Sequence, residues 1–188
     1  MPAIEVRRHT MRTPGGPHLD QSGVTLARLV GAPLGPFAMV VTSPVTRAYE
    51  TALAMGFAVD RTDAHLGLIP DVVDHGVTWN AGFAEWARAS HSEPSVLRYC
   101  ADLHEWCAKV ASSLPGDATA LMISHGGVVE AIAVGCMRNA NRDADPGEVH
   151  KWGGAIRYTE GVRLAFDTHT RQFTGCAVIR VAGAPPDR

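Results

Sequence analysis

The sequence predicts an α/β fold, one three-layer α/β/α domain around a largely parallel sheet. Three observations predict it. The runs at 37–42 and 118–123 are short and continuously apolar, as in strands buried on both faces. Stretches with helical spacing of apolar residues lie between such runs, so strands and helices alternate. Three strands end in polar residues, at Arg8-His9, at Ser43 and at Ser124-His125-Gly126. Ligands of open parallel sheets bind beyond the carboxyl ends of the strands, so these ends predict one shared crevice.

Residues 3–8 read as the first strand, and the Gly/Pro-rich stretch up to Asp20 cannot continue it. Asp20 or Ser22 can cap a helix carrying Val24, Leu26, Ala27, Leu29 and Val30. Gly31 to Pro36 is a break. After the strand at 37–42, Ser43 is read as the N-cap of a helix with Pro44 in its first turn. That helix runs to about Met55 and stops at Gly56. Residues 57–82 read mostly as loop with short elements, and 81–91 as a helix. The strongest helical pattern spans 95–114, with Leu97, Leu103, Cys107, Val110 and Leu114 ahead of Pro115-Gly116. A strand at 118–123, a tight turn at 124–127 and a helix at 128–136 follow. Residues 139–154 are a polar loop, and 162–166 and 172–181 two strands about a turn at 168–170. One domain covers 1–188, with 182–188 as a frayed tail.

The chain has 188 residues, 46% of them hydrophobic, which suffices for a full core. A net charge of -2 gives no global field toward nucleic acid or an anionic membrane, so neither is an expected partner. No apolar run approaches the ~18 residues of a membrane span. The N-terminus is charged early and lacks an apolar h-region, so a signal peptide is not expected. Cys100, Cys107, Cys136 and Cys176 show no Cys-x-x-Cys spacing, and free thiols in a cytoplasmic protein are the simplest reading. Cys100 and Cys107 share a helical face with Leu97, His104 and Ala111, which suits burial. No histidines show paired ligand spacing, so no metal site is expected.

The strand ends carry the chemistry. Two arginines, Arg8 and Arg47, offer forked, permanently charged donors matched to phosphate oxygens. The turn at His125-Gly126-Gly127 opens a helix whose N-terminus favours anions, and its glycines let a ligand approach closely. A dianionic phosphoryl group fits such a crevice. His9, kept neutral by the neighbouring arginines and aimed by a backbone carbonyl, can attack phosphorus and become transiently phosphorylated. His125 and the arginines then stabilise the equatorial oxygens, and a carboxylic acid protonates the leaving oxygen.

At these residues the sequence resembles the histidine phosphatase superfamily, with its phosphoglycerate mutase-like fold. The matching pieces are Arg7-Arg8-His9-Thr10, Leu19-Asp20-Gln21-Ser22-Gly23, Ser43-Pro44-Val45-Thr46-Arg47-Ala48 with Thr51-Ala52, and Ser124-His125-Gly126-Gly127, in order over about 120 residues. The resemblance implies His9 as nucleophile, a phosphate pocket of Arg8, Arg47 and His125, and no metal or other cofactor. Two departures stand out. Thr10 replaces a usual glycine and can add a phosphate contact. Where such proteins carry a glutamate four residues before a glycine, here Gly76, this chain has Val72. Asp71 and Asp74 flank it and are the candidates for the acid, with a loop acid such as Glu85 as another.

Arg12 can either close over the phosphate or be a solvated loop residue, and Gly126 completes the phosphate contacts. His75 lies in the segment expected to roof the site, and Trp79 there can contact substrate or simply pack. The leading reading is a metal-independent phosphatase acting on a phosphorylated small molecule or peptide. A phosphomutase shares the covalent step, but the long insertion that encloses a mutase substrate is hard to find here. A non-catalytic or weakly active module that binds phosphorylated ligands is the other alternative. The oligomeric state, a dimer included, is not legible in the sequence.

Overall fold

The computed structural model describes residues 1–138 and 149–182. The frayed tail read at 182–188 lies outside the described residues except for Ala182, as does most of the loop at 139–154. Among the described residues the sheet has six strands: β1 (Ala3–Arg8), β2 (Met39–Thr42), β3 (Arg61–Thr62), β4 (Thr119–Ser124), β5 (Gly161–Asp167) and β6 (Gln172–Ile179). Their order is β3-β2-β4-β1-β5-β6. The pairs β3–β2, β2–β4 and β4–β1 are parallel, and β1–β5 and β5–β6 are antiparallel. The sheet is thus parallel through four strands, with an antiparallel hairpin closing one edge.

Helices α1 (Gln21–Gly31) and α2 (Thr46–Ala54) pack on one face. After the single-turn α3 (Asp71–Asp74), helices α4 (Phe83–Ser92), α5 (Pro94–Ser113) and α6 (Val128–Arg138) cover the other. Strand alternation assigns the faces. Val40, Leu121 and Ile123 meet Ala27, Ala48 and Ala52 on the first side. Val41, Met122, Ile4 and Val6 join Trp86, Leu103 and Ile132 on the second. The three layers read from the sequence are therefore present. The intervening Glu5 and Arg7 of β1 are also buried, and Arg7 Nε donates to Glu5 Oε1 at 2.6 Å. Arg163 from β5 donates to the other Glu5 oxygen at 3.3 Å, so this buried charge is paired on both sides.

Several boundaries follow local chemistry. Asp20 caps α1, its carboxylate accepting from the Gly23 N–H at 2.6 Å. Gly56, at φ +94, supplies the left-handed residue that ends the α2 segment. Pro94 opens α5, where its missing N–H costs nothing. The helix after Ser43 starts later than its N-cap reading requires: α2 begins at Thr46, and Val45 stands at its cap without a side-chain bond. Ser43 stays outside the helix because its hydroxyl accepts from the Val45 N–H at 3.2 Å and is also engaged by a histidine described below. Between β3 and α4 lie a 3-10 turn at Ala64–Leu66 and the four residues of α3, the short elements expected there. Cys100 and Cys107 are buried on α5 as expected, whereas Leu97, placed on the same face by spacing, is exposed at the helix start. All four cysteines are free. Among the described residues no helix is long and apolar enough to cross a membrane.

Helices α5 and α6 pack backbone to backbone at Gly135, where a Cβ would stand 2.2 Å from the Cys100 carbonyl oxygen. Backbone on both sides leaves no flexible atom to yield. Gly135→Ala is expected to destabilise the fold by about 2 kcal/mol or more, read by urea unfolding, although alanine is the better helix former.

Candidate active site

Three parallel strands bring the polar ends to one level. Arg8 pairs with Ser124 across β1–β4, and Thr42 with Ile123 across β2–β4. The ladder continues one residue further, with His9 N–H donating to the Ser124 carbonyl and Ser43 N–H to the Ile123 carbonyl. His9, Ser43 and His125 therefore leave the sheet side by side. Arg47 reaches them from the first turn of α2.

The hydrogen bonds fix both imidazole tautomers. His9 Nδ1 lies 2.6 Å from the Thr10 carbonyl, which only accepts, so Nδ1 carries the hydrogen. Its Nε2 accepts from Arg47 Nε at 2.9 Å. On His125 the pattern is inverted. Nδ1 accepts from Arg47 Nη2 at 3.2 Å, so Nε2 carries the hydrogen and donates to Ser43 Oγ at 2.8 Å. The rings stand edge to face with centroids 5.1 Å apart. One guanidinium thus bridges two neutral histidines, each with its basic nitrogen turned toward the cation.

Burial is the main reason they are neutral. The His9 pKa is lowered to about 2, first by desolvation and then, more weakly, by His125, Arg47 and Arg8, against the Thr10 carbonyl bond. His125 is lowered to about 3, again by burial ahead of Arg47 and Arg8. Sequence reasoning gives the arginines the leading part, and desolvation holds it instead. Arg47 itself titrates below the ordinary arginine range, through burial and the charges of Arg12 and Arg8. Cations held this close repel one another, and an anion between them removes that repulsion.

Arg8 lies behind the second histidine. Its guanidinium carbon is 4.7 Å from the Tyr158 ring centroid, and Nη1 donates to the Ile156 carbonyl at 2.9 Å. A Cβ on Gly126 would sit 3.3 Å from that guanidinium, so this glycine makes room for Arg8. Thr10 is fully buried, its hydroxyl donating to the Gly23 carbonyl at 3.2 Å and its N–H to Thr51 Oγ1 at 3.1 Å. The hydroxyl thus ties the His9 segment to α1, a structural use the sequence does not suggest. Arg12 is exposed and donates to the Gly16 carbonyl at 3.1 Å, within electrostatic reach of Arg47.

The candidate acids sit on the segment above. Ile69 packs against Gly127, so α3 starts two residues from the second-histidine turn. It presents Asp71 exposed and Asp74 half-buried, while Val72 is 69% exposed to solvent. Glu85 does not fit the role suggested for it. Arg88 grips both its oxygens, at 2.7 and 2.8 Å, and the Thr78 N–H adds a third bond. Those bonds, the arginine's foremost, lower its pKa to about 2 and hold it ionised. His75 donates to the Asp71 carbonyl and faces solvent, away from any ligand role. Trp79 is 56% exposed and shares a small cleft with Asn80, Gly127 and Glu130. Beyond Arg8 opens a larger cleft of about 950 Å³, lined by Asn80, Arg157, Glu160 and Arg180.

Sequence reasoning misses two residues here, Glu130 and Tyr158, and one contact: it places Ser43 at the crevice but reads its hydroxyl as a helix cap rather than as the acceptor for His125. Glu130 interrupts the apolar run of α6, and a lone charge in such a run is the informative kind of anomaly. Tyr158 carries no signal, since it follows the least patterned stretch of the chain.

No protein-family model matches the sequence, and no curated protein matches it. Solved structures do. A phosphoserine phosphatase from Entamoeba histolytica, solved with 3-phosphoglyceric acid, superposes with a TM-score of 0.68 at 14% identity, covering 97% of this chain and 98% of that one. A mycobacterial glucosyl-3-phosphoglycerate phosphatase gives 0.61 at 18% identity over 94% and 98%. A phosphoglycerate mutase from Thermus thermophilus gives 0.51 at 17% identity over 95% and 99%. This chain therefore has the fold of these two phosphatases and of the mutase. Within that fold the two histidines and two arginines of this chain occupy the carboxyl end of the parallel strands.

The depressed histidines make stability pH-dependent. Unfolded, each binds a proton near the ordinary value of 6.5; folded, His9 waits until about 2 and His125 until about 3. The unfolded state therefore takes up more protons as pH falls below 6.5, and each group removes up to ~1.4 kcal/mol of stability per pH unit. Urea unfolding between pH 6 and 4.5 should show a steep loss for the wild type. His9→Gln should be shallower by about that amount per unit, and equal slopes would contradict the burial argument.

Proposed function

We propose that this chain is a metal-independent phosphomonoesterase that turns over through a phosphohistidine on His9. The observation that carries this reading is the tautomer of His9. Its Nδ1 hydrogen is committed to a backbone carbonyl, and its Nε2 lone pair faces a cluster of guanidinium groups. A phosphoryl dianion entering that cluster accepts from Arg8 and Arg47. As Arg47 turns from Nε2 to a phosphoryl oxygen, the lone pair is released for in-line attack. The N–P bond forms as the P–O bond to the alcohol breaks, and a carboxylic acid gives the leaving oxygen its proton. The resulting carboxylate then takes a proton from water. That water attacks phosphorus from the opposite side, the N–P bond breaks and His9 is restored. His125 keeps its Nε2–H on Ser43 and, once Arg47 has turned away and Nδ1 is protonated, lends that Nδ1–H and positive charge toward the equatorial oxygens.

Two of the structural neighbours named above are phosphatases, and both act on phosphorylated small molecules by their names, which favours a hydrolase acting on that class of substrate. The mutase neighbour shares the fold, and the covalent step serves that reaction equally. The phosphoryl pocket needs no metal, because Arg8 and Arg47 already supply the charge a metal otherwise brings. Val72, where a glutamate is expected, favours a second reading: a weakly active protein that mainly binds phosphorylated ligands.

An assay with p-nitrophenyl phosphate in EDTA separates these readings. Wild-type turnover is expected, and His9→Ala should lower kcat by at least ~10³-fold. Phosphate binding without turnover would select the binding protein, and dependence on added metal would overturn the metal-free mechanism.

Asp71 and Asp74 are the carboxylates α3 offers as the proton donor. Asp71→Asn and Asp74→Asn, made separately, assign it. Loss of the acid should cost about 10²-fold on an alkyl phosphate and much less on the nitrophenyl ester, whose leaving group needs no proton. Full alkyl phosphatase activity in both variants would remove the acid from α3.

A further inference from the structure

Glu130 is buried to within 2% exposure on the first turn of α6, in the run Val128-Val129-Glu130-Ala131-Ile132. Both of its oxygens are used. Oε2 accepts from the Gly127 N–H at 2.7 Å, and Oε1 from the Ile156 N–H at 2.9 Å. The first bond alone would be an ordinary capping arrangement, in which the carboxylate sits at the helix surface. The second crosses 26 residues to the segment that holds Arg8. On the other side of Ile156, its carbonyl accepts from Arg8 Nη1 at 2.9 Å. The Arg8 guanidinium in turn fills the space under Gly126, next to Gly127. The contacts close a ring: Glu130, Ile156, Arg8, the second-histidine turn and back to Glu130.

We propose that Glu130 is a positioning residue for phosphoryl binding, which aims Arg8 and the His125-Gly126-Gly127 turn at a common oxyanion by gripping the Ile156 and Gly127 amides at once. The inference rests on the phosphatase reading above and gives one residue in this chain a part in it. Glutamate is the side chain this position requires. A glutamine has one acceptor and would set its NH₂ against the second amide N–H, a donor facing a donor. An aspartate, one methylene shorter, keeps the charge but cannot span both amides. Burial pushes the Glu130 carboxyl up, while its backbone amide bonds and, less strongly, the Arg8 charge work against that rise.

Inorganic phosphate binding, followed by titration calorimetry, tests this without turnover. Glu130→Gln is expected to weaken phosphate by about 10- to 100-fold, the loss typical of a hydrogen bond to a charged group. KM for p-nitrophenyl phosphate should rise with it. The deciding measurement is a double-mutant cycle with Arg8→Ala. If Glu130 acts partly through Arg8, adding Glu130→Gln to Arg8→Ala should cost several-fold less than Glu130→Gln costs the wild type, because the Arg8 share of its effect is already gone. Fully multiplied losses, or wild-type phosphate affinity in Glu130→Gln, would overturn the proposal. Should Glu130→Gln fail to fold, Glu130→Asp carries the same cycle with the same two outcomes. A wild type that binds no phosphate would instead sink the phosphatase reading itself.

Discussion

The structure turns on Arg47 donating to two buried, neutral imidazoles at once. Everything near that guanidinium is arranged so that cations and basic nitrogens meet with little water between them. Buried charge of one sign is costly unless something answers it. Here the protein answers in part with fixed dipoles and one carboxylate: the Thr10 and Ile156 carbonyls, the Tyr158 ring face and Glu130. At Arg47 itself Tyr158 offsets burial and the charges of Arg12 and Arg8 only in part. The remaining imbalance is what makes a dianion a favourable guest, and the parallel sheet is what holds the imbalance in place. Strands β1, β2 and β4 end in register, so His9, Ser43 and His125 cannot drift apart without breaking backbone ladders.

Desolvation rather than charge sets the protonation of His9 and His125. Arginines that lowered a histidine pKa through space would lose that effect once a phosphoryl dianion screened them. Burial persists when the ligand binds, because an incoming phosphoryl group displaces water as well. In the proposed reaction, a bound dianion would raise both histidines from their low values. The site would then take up a proton at His125 while His9, bonded to phosphorus, has no lone pair left at Nε2 to protonate.

Most of the fold and the centre of the site are legible in the sequence for a simple reason. Buried strands of a parallel sheet are continuous apolar runs, and their polar ends break those runs sharply. Residues 37–42 and 118–123 announce β2 and β4 in this way, and with them Ser43 and His125. Asp20 is legible as a cap because its carboxylate serves the local backbone. Residues whose role depends on distant partners are not. Thr10 turns to the Gly23 carbonyl, and Gly126 opens space for Arg8; each relation exists only after folding. Tyr158 is placed by the hairpin edge and leaves no periodic trace. Ser43 shows how local chemistry misleads, because Ser-Pro is a good helix start. The hydroxyl nonetheless serves an imidazole 82 residues away.

The acid problem illustrates the same divide. Glu85 is attractive as an acid in a poorly patterned segment, and the structure engages it with Arg88 and the Thr78 amide. A carboxyl held well below its ordinary pKa gives up no proton near neutrality, so geometry and electrostatics remove it together. The segment from Ile69 to Asp74 answers differently. Ile69 anchors against Gly127, Val73 is buried toward α5, and the helical turn leaves Val72 facing solvent. On a single turn of helix, neighbours point about 100° apart, so residues 71, 72 and 74 occupy different directions. In the proposed reaction, a carboxylate displaced by one or two positions from 72 would therefore approach the leaving oxygen from another side. It does so with the same backbone anchor at Ile69, and the shape of the alcohol it can serve changes with that direction. On the proposed reading, Val72 in place of the glutamate is thus as much a question of substrate geometry as of rate, and specificity would be set at this short helix rather than where Arg8 and Arg47 meet the phosphoryl group.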